Sequence, residues 1–420
     1  MKRGFLFIAI FISIFPFVLR AEEISLSLDE AIAVALRENR DILLKSEEIK
    51  KAKEKIVEAE ASLFPTVSFT GSWTDTGGLY AKDLTQSTTQ TTLKQYLYKG
   101  GKIINTIKQK QDNFEVTKSL LDKTKLEAVL NVKKAFYTLL LANEFVNLNK
   151  GILENTQEHL KTQQARYANG QVSELDILKI KESLSAVQQA YESSLNQIES
   201  SLSLLRNLLY LDEAVHIKPS GEFSYETKEL AYDEAFLKAM KTRPEIRQYE
   251  TQEKVDKKAI EIAKADNRPS IYASWDYYSR SHTAATTTRG WNDYNVIGLT
   301  FSWPVFDGWA TKAKVEQAIV DLKETQLTKE KTIKDIALEL KNAYLDLKNA
   351  LAKIKSTQAE VNLYNDTLSV TQAKYKVGIV SSLDLSDAAL GYAVSLFNQK
   401  EATYDYVLAK ASFDKATGGL

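Results

Sequence analysis

Two Ser-x-x-Asp motifs stand just beyond glycines in this chain, Ser173 to Asp176 after Gly170 and Ser381 to Asp384 after Gly378. A hydroxyl three residues ahead of a carboxylate has the spacing of a capping box, in which the two groups satisfy free amides at the start of a helix. Asp387 follows Asp384 by one helical turn, so two carboxylates share one helical face there. The first motif has Lys179 at the matching place, which confines the acid pair to one site. Nothing else in the chain is arranged for reactions. His159, His216 and His282 are isolated, cysteine is absent, and neither a phosphate-cradling glycine motif nor a nucleophile elbow occurs. The reading is therefore of a protein that is not an enzyme and needs no cofactor or metal.

The motifs belong to a longer duplication. Ser27-Leu28-Asp29-Glu30-Ala31 returns as Ala231-Tyr232-Asp233-Glu234-Ala235, and Phe64-Pro65-Thr66-Val67 returns as Arg268-Pro269-Ser270-Ile271. Arg166-Tyr167 through Asp176 likewise returns as Lys374-Tyr375 through Asp384. The offset is 204 residues at Pro65 and Pro269 but 208 at Gly170 and Gly378, so the second copy gains four residues between Pro269 and Gly308. An exposed loop is expected in that interval, because insertions collect in loops.

At 420 residues the chain has 55 basic and 55 acidic side chains, which cancel. Without a net field, binding to nucleic acid or to an anionic surface is not suggested. Zero cysteine removes disulfides, thiolate metal sites and thiol nucleophiles. Met1-Lys2-Arg3 and the apolar run from Gly4 to Leu19 have the charged start and apolar middle of a secretory signal peptide, residues 1–21, with cleavage expected after Ala21. A retained anchor is the alternative, but the run is shorter than the ~20 residues a spanning helix needs.

The elements that must position the two motifs are long helices. From Lys102 to Asn169 the only glycine is Gly151 and proline is absent, while Trp309 to Val377 has neither. Steps of three and four along the first meet Val132, Ala135, Leu139, Ala142 and Val146, a coiled-coil-like seam. The expected organisation is a first repeat over 22–210 and a second over 231–420. The first holds a helix from Leu28 to Ser62, a strand pair at 65–99, a long helix at 101–168 and a return helix at 173–210. The second holds a helix from Ala231 to Asp266, a strand pair at 269–306, a long helix at 309–377 and a return helix at 382–416. Residues 211–230, with Pro219 and Gly221, read as an irregular equatorial belt.

The strands have a period of two. Val67, Phe69, Gly71 and Trp73 alternate with Ser68, Thr70 and Ser72, and Ile297, Leu299, Phe301 and Trp303 alternate with Gly298, Thr300 and Ser302. Ile271, Ala273, Trp275 and Tyr277 repeat the pattern, whereas Lys94 and Gln95 interrupt it in Thr89 to Lys99. Alternation over ~10 residues with flanking aromatics is the signature of an outer-membrane β-strand, although a soluble hairpin packed on a helix also alternates. Thr74 to Thr88 and Arg280 to Asp293 read as polar loops. Four strands cannot close a barrel, and an open edge in hydrocarbon leaves backbone groups unpaired at several kcal/mol each. Other copies must therefore close it; two would give eight strands and three would give twelve, and an aqueous lumen favours three.

With these motifs the sequence resembles the TolC family of outer-membrane efflux proteins over essentially the whole mature chain. The resemblance rests on the paired tips, Arg166-Tyr167-x-x-Gly170-x-x-Ser173-x-Leu175-Asp176 and its second copy, on the proline-opened strands and on the Asp-Glu-Ala helix starts. It implies an α+β membrane protein in which a duplicated half is used three times. A homotrimer would form a twelve-stranded β-barrel, four strands per chain, continuing into a long periplasmic α-helical barrel. It also implies an exit duct for a tripartite efflux or type I secretion system, working with a periplasmic adaptor and an inner-membrane pump or transporter, in contact with outer-membrane lipid. Acids at Asp384 and Asp387 would ring the periplasmic gate, and Asp176 and Tyr375 match positions that link hairpins across the closed end. Val380 stands where the family's closing network can hold an arginine, so that link is absent here. The exposed tip residues Tyr167, Gly170, Ser173, Leu175, Gly378, Ser381 and Leu383 are the expected adaptor contact, with packing inside the tip as the alternative for the tyrosines and leucines. The competing reading of the whole chain is a periplasmic coiled-coil adaptor or scaffold without a channel of its own.

Overall fold

Helix capping explains where the chain's first helices begin and break. After strand β1 (Glu23–Leu26), Ser27 and Glu30 form a reciprocal capping box that opens helix α1 (Leu28–Glu38). The expected single helix to Ser62 is divided at Asn39, whose side-chain oxygen accepts from the amides of Asp41 and Ile42 and starts α2 (Arg40–Glu60). The second repeat breaks at the equivalent Arg243, between α5 (Tyr232–Thr242) and α6 (Pro244–Lys264), with Pro244 at the first helical position. The computed structural model describes residues 23–79, 82–213, 215–221, 223, 231–284 and 287–419. The signal peptide expected at 1–21 lies outside them.

Strands β2 (Thr66–Leu79) and β3 (Lys82–Lys99) lead into α3 (Lys102–Ala168), which reverses into α4 (Glu174–Leu209). Strand β4 (His216–Pro219) lies within the belt expected to be irregular and pairs in parallel with β1. Strands β5 (Ser270–Ala284) and β6 (Thr287–Ser302), α7 (Ala310–Lys376) and α8 (Ser382–Ala416) complete the second repeat. Helices α3 and α7 are 67 residues each, about 100 Å at the α-helical rise. Each packs along its return helix over one part of its length and against α2 or α6 over another, so short helices line continuous ones. No helix among the described residues is long and apolar enough to cross a membrane.

The core sits at the equator in two clusters. Val132, Phe136 and Leu139 of α3 meet Ala31 and Ala35 of α1, Leu205 and Leu209 of α4 and Ile217 of β4. Ile336, Leu340, Leu347 and Ile354 of α7 meet Ala239 of α5, Ile246 of α6, and Ala402, Tyr406 and Phe413 of α8. Burying each large aliphatic side chain contributes about 1.5–3 kcal/mol. Tyr137 packs against both clusters and stacks on Phe223 at 6.0 Å, joining the halves.

The four long strands form one antiparallel sheet in the order β2-β3-β5-β6, with β2 and β6 at its edges. Register places Val67, Leu93, Trp275 and Ile297 in line on one face and Ser68, Thr92, Asp276 and Val296 on the other. The first face is apolar and uncovered: Phe69 is 72% exposed, Trp73 70% and Ile297 83%. Both strand pairs are longer than expected, because residues read as polar loops, 74–79, 82–88, 280–284 and 287–293, are strand. Thr66 pairs with Lys94 across 28 residues and Ser270 with Ser302 across 32, so the four extra residues lengthen the second hairpin. Its turn lies outside the described residues.

Candidate gate at the helical tips

Each long helix ends on a glycine. The Gly170 amide donates to the Tyr167 carbonyl at 2.9 Å, and φ at Gly170 is 69°; Gly378 donates to Tyr375 at 3.0 Å with φ 74°. A Cβ at either would meet nothing within 4 Å, so glycine is required by backbone conformation and not by space. The next helix then starts on a serine. The Ser173 hydroxyl donates to Asp176 Oδ2 at 2.7 Å and accepts from the Asp176 amide at 3.3 Å, while the Ser173 amide donates to the same carboxylate at 3.1 Å. Ser381 and Asp384 repeat this at 2.7, 3.2 and 2.8 Å. Both capping boxes inferred from spacing are formed.

These bonds set the electrostatics. Hydrogen bonds from the Ser173 side chain and backbone hold the Asp176 carboxyl below the usual aspartate range, with Lys179 adding to the effect. Bonds from Ser381 lower Asp384 in the same way. Both carboxylates are exposed and ionised at neutral pH, and so each tip displays an anion that also closes its own turn. Replacing Ser381 by alanine should cost about 1 kcal/mol and speed amide hydrogen exchange in the first turn of α8 alone. Unchanged exchange there would show that the cap does not hold the tip.

The two hairpins face each other across a cleft of about 430 Å³ lined by residues of α3, α4 and α8, including His159, Asp176, Lys179 and Asp387. Asn155 Nδ2 donates to Ser386 Oγ at 2.7 Å, a direct link between α3 and α8. His159 contacts Gln163 at 3.2 Å on the same wall. Asp387 and Lys179, which mark where the repeats differ, therefore line one cleft, whereas Asp384 does not. No periodicity or spacing pointed to Asn155, Ser386 or His159, because the pairing of Asn155 with Ser386, 231 residues apart, is visible only in three dimensions. Tyr167, Leu175, Tyr375 and Leu383 are 47%, 59%, 43% and 44% exposed, and Leu383 also lines the cleft.

The sequence profile of the family described as outer membrane efflux protein matches residues 31–209 and 237–419, nearly all of both repeats. This chain belongs to that family. As an outer membrane efflux protein it is placed in the outer membrane, extending into the periplasm. It is 21% identical over 404 residues to nodulation protein T of Rhizobium leguminosarum bv. trifolii, covering 91% of this chain and 83% of that one. It is 21% identical over 390 residues to outer membrane protein TolC of Escherichia coli (strain K12), covering 88% and 77%. The fold of this efflux protein matches the crystal structure of the Campylobacter jejuni CmeC outer membrane channel with a TM-score of 0.80 at 18% identity, over 93% and 85% of the two chains.

Proposed function

We propose that three copies of this chain close a twelve-stranded barrel in the outer membrane, continued by an α-helical tunnel, and act as the exit duct of a tripartite efflux or type I secretion system. One observation carries the reading: a four-stranded sheet with two open edges and one uncovered apolar face. Such edges are tolerable in hydrocarbon only when paired, and pairing β6 of one copy with β2 of the next extends the sheet into a closed ring. A scaffold with no membrane barrel has no use for such a surface.

The narrow end is the tip carrying Asp384 and Asp387. In a threefold arrangement these acids ring the gate, and Asp176 and Tyr375 hold hairpins together across it. Tyr167, Gly170, Ser173, Leu175, Gly378, Ser381 and Leu383 receive a periplasmic adaptor, whose docking with an inner-membrane pump or transporter opens the end. Cargo passes without chemical change. The test is migration of detergent-extracted protein before and after boiling. A trimer that dissociates only on heating is expected, whereas a monomer released without detergent would overturn the proposal.

A further inference from the structure

Where barrel meets tunnel, the two repeats differ in charge. Register equates Lys94 with Ser302, since they pair with the equivalent Thr66 and Ser270. By the same offset Lys99 matches Asp307, Lys102 matches Ala310 and Thr106 matches Lys314, while by the offset of 204 at Pro65 and Pro269 Ser62 matches Asp266. In the second repeat this corner carries its own acids. Asp307 Oδ2 accepts from the Thr311 amide at 2.8 Å and caps α7, and Lys314 pairs with Asp266 at 2.8 Å.

The first repeat has lost both acids and gained three lysines. A cavity of about 270 Å³ lies there, lined by Lys94, Lys99 and Lys102 with Phe64, Tyr96 and Ile103 among its walls. Lys102 reaches out to Asp266 of the second repeat at 2.6 Å. Lys94 and Lys99 have no carboxylate partner among the described residues. Their ammonium groups lie over aromatic rings, Lys94 at 3.9 Å from the Tyr272 centroid and 4.9 Å from Tyr96, and Lys99 at 4.4 Å from Tyr96. Ring faces hold a cation but leave its N–H donors largely unspent. Lys99 stands where Asp307 serves α7 and has no acceptor to offer, and Gly101, which precedes α3, has no capping side chain.

We propose that this cavity binds an anion, a carboxylate or phosphate group carrying a small apolar body, with the charge between Lys94 and Lys99 and the body against Phe64, Tyr96 and Ile103. The anion takes the place that the Asp307 carboxylate fills in the other repeat. Lys94 shares the polar face of the sheet with Ser68 and Thr70, so in the barrel proposed above the site opens on the lumen, three times per channel. That location rests on the duct reading; binding itself does not.

The assay uses full-length detergent-extracted protein and fluorine NMR of 4-fluorobenzoate, with inorganic phosphate as competitor and neutral 4-fluorobenzyl alcohol as control. Saturable benzoate binding, displaced by phosphate and not matched by the alcohol, is expected. Lys94→Gln with Lys99→Gln should weaken it at least about tenfold, and Lys108→Gln, on an exposed lysine further along α3, should leave it unchanged. Lys99→Asp supplies the missing acid in place and should abolish binding while the helical melting temperature holds or rises, separating a filled site from a misfolded one. Absent saturation, equal binding of the alcohol, failure of phosphate to compete, or full binding in Lys99→Asp would each overturn the proposal. Loss of conduction with binding intact would reject the duct and leave the site standing.

Discussion

Replacing Arg243 by alanine lowers the stability of the fold by about 3–5 kcal/mol, the cost of leaving the partners of a buried charge unmatched. Its side chain is 4% exposed at the break between α5 and α6. Nε and Nη2 donate to Glu245 at 3.1 Å each, Nη2 also to Glu339 at 2.8 Å, and Nη1 to the carbonyls of Lys415 and Ala416 at 3.2 and 3.3 Å. The guanidinium thus caps the end of α8 and bridges α6 to α7, for which its planar fork is suited and a lysine is not. Lysine should recover less than half of the loss, and a loss below about 1 kcal/mol for alanine, read from helical circular dichroism in denaturant, would contradict the assignment.

The same cluster predicts a pH effect. Burial works to raise the Glu339 carboxyl, but hydrogen bonds and charge from Lys415 and Arg243 outweigh it and hold the group below the usual glutamate range. A folded value depressed below the unfolded one contributes stability that is present above about pH 4 and is lost as pH falls through the folded value. Acid should therefore destabilise the native chain more steeply than the Arg243→Ala variant, whose Glu339 has lost one cation.

The second large effect is electrical. Converting Asp384 and Asp387 together to alanine should raise single-channel conductance in planar bilayers and weaken block by multivalent cations at least about tenfold, because in the proposed duct these acids supply the negative charge of the gate. Asp384 also closes a capping box, so alanine removes a cap along with a charge. Asparagine keeps a side-chain acceptor for Ser381 and removes only the charge. If Asp384→Asn with Asp387→Asn reproduces the alanine result, charge is responsible; block unchanged in both would remove these residues from the gate. Since Ser381 holds Asp384 below the usual aspartate range, the native block should persist at pH 5.

Tips and sheet were legible in sequence for local reasons. Gly170 and Gly378 needed positive φ, Ser173 and Ser381 needed an acid three residues on, and the alternation of Val67, Phe69 and Trp73 named the uncovered face. Break points were less visible. Asn39 interrupts a strongly helical run with neither glycine nor proline, and only Pro244 in the second copy hinted that a boundary lay there. Strand length was underestimated because Thr, Ser and Gly occupy both faces of the outer parts of β2 and β3, leaving no alternation to read. The tip cleft and the Arg243 cluster join segments far apart in sequence, and no periodicity reports that.

The equal span of α3 and α7 has a mechanical meaning. The four residues by which the repeats differ went into a hairpin, and none into a helix. One residue added to α7 alone would drop its tip by 1.5 Å and turn it by about 100°, carrying Asp387 away from the cleft it shares with Lys179 of α4. The two columns work as matched legs of one stand: evolution can remodel the membrane end freely, but any change in reach has to be made in both legs at once, in whole turns, or the foot no longer sits level.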